Sequence, residues 1–198
     1  MRFGPNEERA AALVRIFKTH DYSELQPAQQ RSADGIVPEL TLGEGTRCLA
    51  LLASAGDREE WRDRNASEGH QAIPFTSSAL VRRFPMISNL IMQFGLDPGV
   101  VVKPDPSCLQ DIEETTFNVF LVENAEGSPY IPAQDDFVRP LGIKSALGFG
   151  GILPSGNLFA TIMFMKTPVD SNLAELFKPL ALSVKMALLP HDGRRVFA

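Results

Sequence analysis

Lys144–Leu188 reads KSALGFGGILPSGNLFATIMFMKTPVDSNLAELFKPLALSVKMAL. Two apolar runs, Ser145–Leu153 and Leu158–Lys166, flank the turn residues Pro154, Ser155, Gly156 and Asn157. Apolar runs joined by turn-forming residues signal a β-hairpin. A helical stripe follows, with Leu173, Leu176, Phe177, Leu180, Val184 and Leu188 on one face. Asp170, Ser171 or Asn172 can cap this closing helix, and Asn172 with Glu175 has capping-box spacing. Pro179 falls inside the stripe, removes one backbone bond and predicts a kink. Gly148, Gly150 and Gly151 weaken the first strand. They predict a bulge, a bend, or close approach of another backbone or a ligand. A hairpin closed by a helix argues against folds built on a phosphate loop or a parallel sheet.

Upstream, Thr116–Val122 (TFNVFLV) is apolar on both faces, as an internal strand would be. Ser77–Phe94 has a helical period broken at Pro85, which disfavours the α region for Phe84. It predicts a short helix, a break, then a helix from Pro85 stopped by Gly95. Arg47–Ser54 (RCLALLAS) is a buried strand, and Gly69–Phe75 a short one closed by Pro74. Asp57–Arg64 (DREEWRDR) is a helical turn or an irregular excursion. Tyr22–Ala33 predicts a short helix with Pro27 near its start, and Gly35–Gly45 a loop. Pro5–His20 reads as a helix: Pro5 suits the first turn, and Ala10, Leu13, Val14 and Phe17 recur at helical spacing.

Composition fits one domain. The chain has 198 residues, 44% hydrophobic, with a net charge of −5. That length allows a full core without disulfides or metal. The acidic balance leaves no basic footprint for nucleic acid. Two cysteines far apart, Cys48 and Cys108, do not make a disulfide scaffold and suit a reducing cytoplasm. The start, MRFGPNEERAA, lacks the apolar run of a signal peptide, and no apolar segment reaches membrane-spanning length. A cytoplasmic location and no membrane partner are expected. The single domain spans 1–198, with a core at about 10–189 and a loosely held tail at 190–198.

The hairpin and closing helix resemble the end of a GAF domain. The order upstream is similar too: N-terminal helix, strand at Arg47–Ser54, helical insertion at Ser77–Phe94, strand at Thr116–Val122. The segments NASEGHQAIPF, TFNVFLV, SPYIPAQDDFV and IKSALGFGG resemble GAF-type sensor regions of bacterial signalling proteins, histidine kinases among them. The resemblance implies an α+β, GAF-like (profilin/PAS-related) fold. Its antiparallel sheet would have five to six strands, helices on both faces, and long N- and C-terminal helices. It implies a non-enzymatic sensory module of signal transduction that binds a small molecule. It also implies a homodimer formed through the terminal helices and an effector such as a histidine kinase core. No kinase core and no phosphate-binding glycine loop occur in this chain.

Candidate ligand-binding residues follow. His70 and Gln71 lie in SEGHQAIP beside Ser67 and Glu68. Asn118 is the polar member of an apolar strand and needs a partner if buried. Tyr130 and Arg139 sit on either side of the long loop and can close over a pocket. Cys48 lies in an apolar run and packs as a small hydrophobe. The pairs Asp135-Asp136 and Glu113-Glu114 read as solvated loop, since adjacent acids diverge. Ser155 lacks the G-x-S-x-G elbow of a nucleophile. Two other functions stay open: a thiol-dependent reductase using Cys108, and a haem- or metal-based sensor using His70. No histidine or cysteine sits at ligand spacing from His70, and no cofactor is specified.

Overall fold

The computed structural model describes residues 2–3, 8–67, 69–93, 95–103, 119–193 and 197. Six strands form its central sheet: β3 (Ala11–Asp21), β4 (Arg47–Gly56), β5 (Ala72–Pro74), β6 (Val119–Val122), β7 (Ser145–Ile152) and β8 (Leu158–Met165). They lie in the order β5-β4-β3-β8-β7-β6, and every pairing is antiparallel. Two short strands, β1 (Arg2–Phe3) and β2 (Glu8–Arg9), pair separately.

The hairpin forms as its sequence predicts. β7 and β8 pair without a register shift from Ser145↔Met165 to Ile152↔Leu158. The turn closes through the Leu153 amide donating to the Asn157 carbonyl at 2.8 Å. It is tied to the sheet by Arg47, whose Nη2 donates to the Gly156 carbonyl at 2.8 Å and to Asn157 Oδ1 at 3.1 Å. Gly150 explains itself by close approach, not by a bulge: a Cβ there would lie 2.1 Å from the Phe159 carbonyl oxygen.

The long terminal helices are not there, and both ends of the chain correct the expectation. The segment read as an N-terminal helix is β3, an eleven-residue strand at the middle of the sheet. Its apolar residues fit a helical period, but β3 is hydrogen-bonded on both edges, to β4 and to β8. A strand covered on both faces carries apolar residues on both, so the alternation that would reveal it is erased. At the other end the closing helix is two pieces, α5 (Ser171–Glu175) and α6 (Lys178–Leu188). Pro179 stands in the first turn of α6, where its missing N–H costs nothing. It starts a helix where a kink was expected.

The remaining α-helices among the described residues are short: α1 (Pro27–Ile36), α2 (Ser78–Arg82), α3 (Pro85–Gln93) and α4 (Pro98–Val102). The break before Pro85 falls where the sequence predicts it.

Strand alternation sorts the two layers. On one face Phe17, Leu49, Leu51, Phe120, Ala146, Leu158, Ala160 and Ile162 pack against Val81, Ile87, Leu90 and Ile91 of α2 and α3. On the other, Leu147, Phe149 and Met165 pack against Ala174, Phe177 and Ala181 of the C-terminal segment. Burying one of the Val, Leu, Ile, Phe or Met side chains among these stabilises the fold by about 1.5–3 kcal/mol. Phe197, in the tail, is also buried and packs its ring on His20 with centroids 4.8 Å apart.

Candidate functional site

Between the first face of the sheet and its helical cover lies a cavity of about 590 Å³. Its floor comes from neighbouring strands: Leu13, Arg15 and Phe17 of β3, and Ile162 and Phe164 of β8. Register puts these side chains on one face, with Leu13 opposite Phe164 and Arg15 opposite Ile162. The α2–α3 junction supplies Arg83, Phe84, Pro85, Met86 and Ile87, and the loop before β5 supplies Gly69 and His70. The segment 130–137 closes the remaining side with Tyr130, Ile131, Pro132, Asp136 and Phe137.

Trp61, the only tryptophan of the chain, forms part of the wall and is 4% exposed. It stands in a 3₁₀ turn, Glu59–Trp61, after β4. Gly56 makes room for it, since a Cβ there would lie 2.8 Å from the indole Cε3 and 3.0 Å from the Ala12 carbonyl oxygen. The Arg58 guanidinium sits 4.8 Å above the Trp61 ring centroid. Trp61 meets Phe137 edge-on at 5.7 Å, and Phe137 meets Phe164 edge-on at 4.7 Å. These are the contacts that ring quadrupoles favour.

The polar groups of the cavity are mostly cationic. Arg15, Arg58 and Arg83 line it, whereas Asp136 is the one carboxylate among its described lining residues. Burial pushes the Arg15 guanidinium below its usual value, and its Nη2 donates to Ser67 Oγ at 2.7 Å. His70 is at the rim, its ring edge-on to Phe84 at 5.2 Å. Burial, and then the Arg15 charge, lower its imidazole pKa and favour the neutral ring.

Of the candidates read from the sequence, His70 and Tyr130 line the cavity. Gln71 does not: its amide Nε2 donates to the Ser67 carbonyl at 3.0 Å and its backbone N–H to Ser32 Oγ at 3.2 Å. Arg139 is exposed and bound to Asp135 and Glu126 on the surface. Asp135 and Asp136 lie in a helical turn, Gln134–Val138, where the sequence suggested a solvated loop; the first pairs with Arg139 and the second lines the cavity. Asn118, Cys108, Glu113 and Glu114 lie outside the described residues. Cys48 is fully buried, and burial, then Asp21 and Asp34, push its thiol up to about 12. Such a thiol is inert. Among the described residues no group of three metal-donor side chains occurs.

Sequence reasoning missed Arg15, Arg58, Trp61 and Arg83. Two of them left a trace: an arginine inside the apolar run LVRIF, and a lone tryptophan inside the charged run DREEWRDR. Each puts a side chain of one kind where its neighbours are of the other.

A second polar cluster occupies the opposite face of β3. Alternation sends Lys18 and His20 away from the cavity that Arg15 and Phe17 face. With Glu24, Arg47 and Asn157 they line a smaller hollow of about 270 Å³. Lys18 is 1% exposed, and its Nζ donates to the Thr19 carbonyl at 3.3 Å. Burial lowers its pKa, opposed by Asp192 and Glu24. His20 Nε2 has no hydrogen-bond partner among the described residues. Burial, then the Lys18 charge, push the His20 imidazole down to about 3. The ring is therefore neutral at ordinary pH. Its 3.6 Å approach to Glu24 Oε2 is a dipolar contact, not an ion pair.

No helix among the described residues is long and apolar enough to cross a membrane. No family model, no curated protein and no solved structure matches this chain.

Proposed function

We propose that this chain is a sensory or regulatory module that takes one small molecule into the cavity between the sheet and α2–α3. The observation that carries this reading is the cavity itself, mostly apolar, with a few polar groups on its walls. Binding pockets for small ligands have that make-up and fall at about 300–1,000 Å³. The GAF resemblance of the sequence points the same way.

Strand β8 supplies a route for the signal. Ile162 and Phe164 form the cavity floor, and the alternate residues Met163 and Met165 support the C-terminal segment on the other face. A ligand that binds one seating of this strand better than another biases the position of α6. Along α5 and α6 the side chains of Leu173, Leu176, Leu180, Leu182 and Met186 are exposed, Leu176 to 69%. We assign self-association to this surface alone, since the N-terminal segment is locked inside the sheet. A further module such as a kinase core would read the change.

Native mass spectrometry of freshly purified protein tests both parts. A dimer carrying one retained small molecule per chain is expected. The double substitution Leu176→Glu and Leu180→Glu should weaken the dimer about tenfold or more and leave the retained mass in place. A bare monomer at high concentration, gaining no mass from a small-molecule cell extract, would contradict the proposal.

A further inference from the structure

We infer that the cavity takes a flat aromatic molecule of two or three fused rings, inserted ring-first, with its polar substituent left at the mouth. This rests on the cavity being the ligand site.

The make-up of the walls is the first argument. They use the only tryptophan of the chain, one of its two tyrosines and four of its thirteen phenylalanines: Trp61, Tyr130, Phe17, Phe84, Phe137 and Phe164. All but Phe17 already meet another ring edge-on. Trp61 meets Phe137 at an interplanar angle of 62°, and Phe137 meets Phe164 at 83°. Phe84 meets His70 at 87°, and Tyr130 meets Phe120 at 85°. Rings held by their neighbours need little ordering when a ligand arrives. Each contact of this kind gives an incoming ring about threefold to tenfold in affinity over a saturated ring of the same area. The size follows from the space: about 150 Å³ holds one benzene, and this cavity offers about 590 Å³.

The placing of the charges is the second argument. Leu13, Phe17, Ile162 and Phe164 make the floor apolar. Its one charged residue, Arg15, is engaged with Ser67 Oγ at 2.7 Å. Arg58 lies over the Trp61 ring, 4.8 Å from its centroid. Arg83, Asp136 and His70 are exposed and border the mouth. A charged or strongly polar group pushed to the floor would trade its water for apolar contacts, at a cost. At the mouth it keeps that water, and the opposite signs of Arg83 and Asp136 favour neither a cation nor an anion. The ring therefore enters first, and the charge of the substituent matters little.

Calorimetric titration of the intact chain with naphthamide, naphthoate and decalin carboxamide tests this. The third probe has the carbon skeleton of the first without its flat π-system. Naphthamide should bind about tenfold tighter than decalin carboxamide. Naphthoate should match naphthamide within about fivefold, because a charge at the mouth stays solvated and screened. Phe137→Leu, with its fold checked by circular dichroism, should weaken naphthamide about threefold to tenfold and leave decalin carboxamide unchanged. Phe84→Leu repeats that test at the mouth if Phe137→Leu does not fold. A decalin carboxamide that binds as tightly as naphthamide overturns the aromatic class and leaves the cavity as a ligand site. Equal losses for both amides in the variant overturn the ring contacts. A larger gap between naphthoate and naphthamide, in either direction, overturns the ring-first placing. Failure of all three probes overturns the aromatic class as well, and the retained mass in native spectra then decides separately whether the cavity holds a ligand.

Discussion

Gly150→Ala is expected to destabilise the fold by about 3 kcal/mol or more, enough to leave much of the protein unfolded. The new methyl group would lie 2.1 Å from the Phe159 carbonyl oxygen and 3.0 Å from Ala160 Cα. Both are backbone atoms of β8, so no rotamer change relieves the clash. The strand itself cannot back away, because β7 is paired with β6 on one edge and β8 on the other. Gly148→Ala is the control two residues earlier on the same strand. There the nearest atoms are the Thr161 carbonyl oxygen at 3.5 Å and Leu90 Cδ1 at 3.6 Å, ordinary contact distances. Its expected effect is about 1 kcal/mol or less. Urea unfolding of the two variants reads the difference. Equal midpoints would mean that the hairpin register is not the one described.

Acid should destabilise the protein through His20, well before most carboxylates titrate. The residue is 3% exposed, with its ring on Phe197 and its Nε2 unpartnered among the described residues. Its folded pKa of about 3 is far below the ordinary histidine value of about 6.5. The unfolded chain therefore binds the proton first. Between these two values the unfolded state carries more protons, and stability rises with pH. The neutral-ring stability is fully present above about pH 6.5 and is lost as pH falls toward about 3. At about pH 5 the loss amounts to about 2 kcal/mol. Chemical denaturation at about pH 7 and about pH 5 measures it. His20→Leu should remove the His20 share of the difference and leave only the part that His70, whose imidazole is also lowered, contributes. Parallel losses in the wild type and the variant would show that other groups carry the acid sensitivity.

The hairpin was legible because its signals are local. Apolar runs, a Pro-Ser-Gly-Asn turn and the matching strand lengths all lie within Ser145–Met165. The break at Pro85 and the strand at Arg47 were legible for the same reason. β3 was not, because what makes it a strand is two partners, one 26 residues or more ahead in the chain and one at the far end. Pro179 was misplaced by a single assumption, that Leu173 to Leu188 is one continuous helix. With a stop after Glu175, the same proline becomes a helix starter. The cavity was half legible. His70 and Tyr130 stood out as polar residues beside loops, and both reach it. Arg15 and Trp61 reach it only because β3 is a strand and Gly56 leaves room for an indole, which no local pattern states.

The indole N–H resonance of Trp61 is a single reporter built into the cavity wall, since the chain has no other tryptophan. Its chemical shift, followed while naphthoate and then naphthamide are added to the labelled wild-type chain, asks directly whether the space between the sheet and α2–α3 receives a ligand. A saturable shift with at least one of the two is the expected result, whichever binds more tightly. A resonance that stays put through both titrations would contradict a ligand cavity at this place.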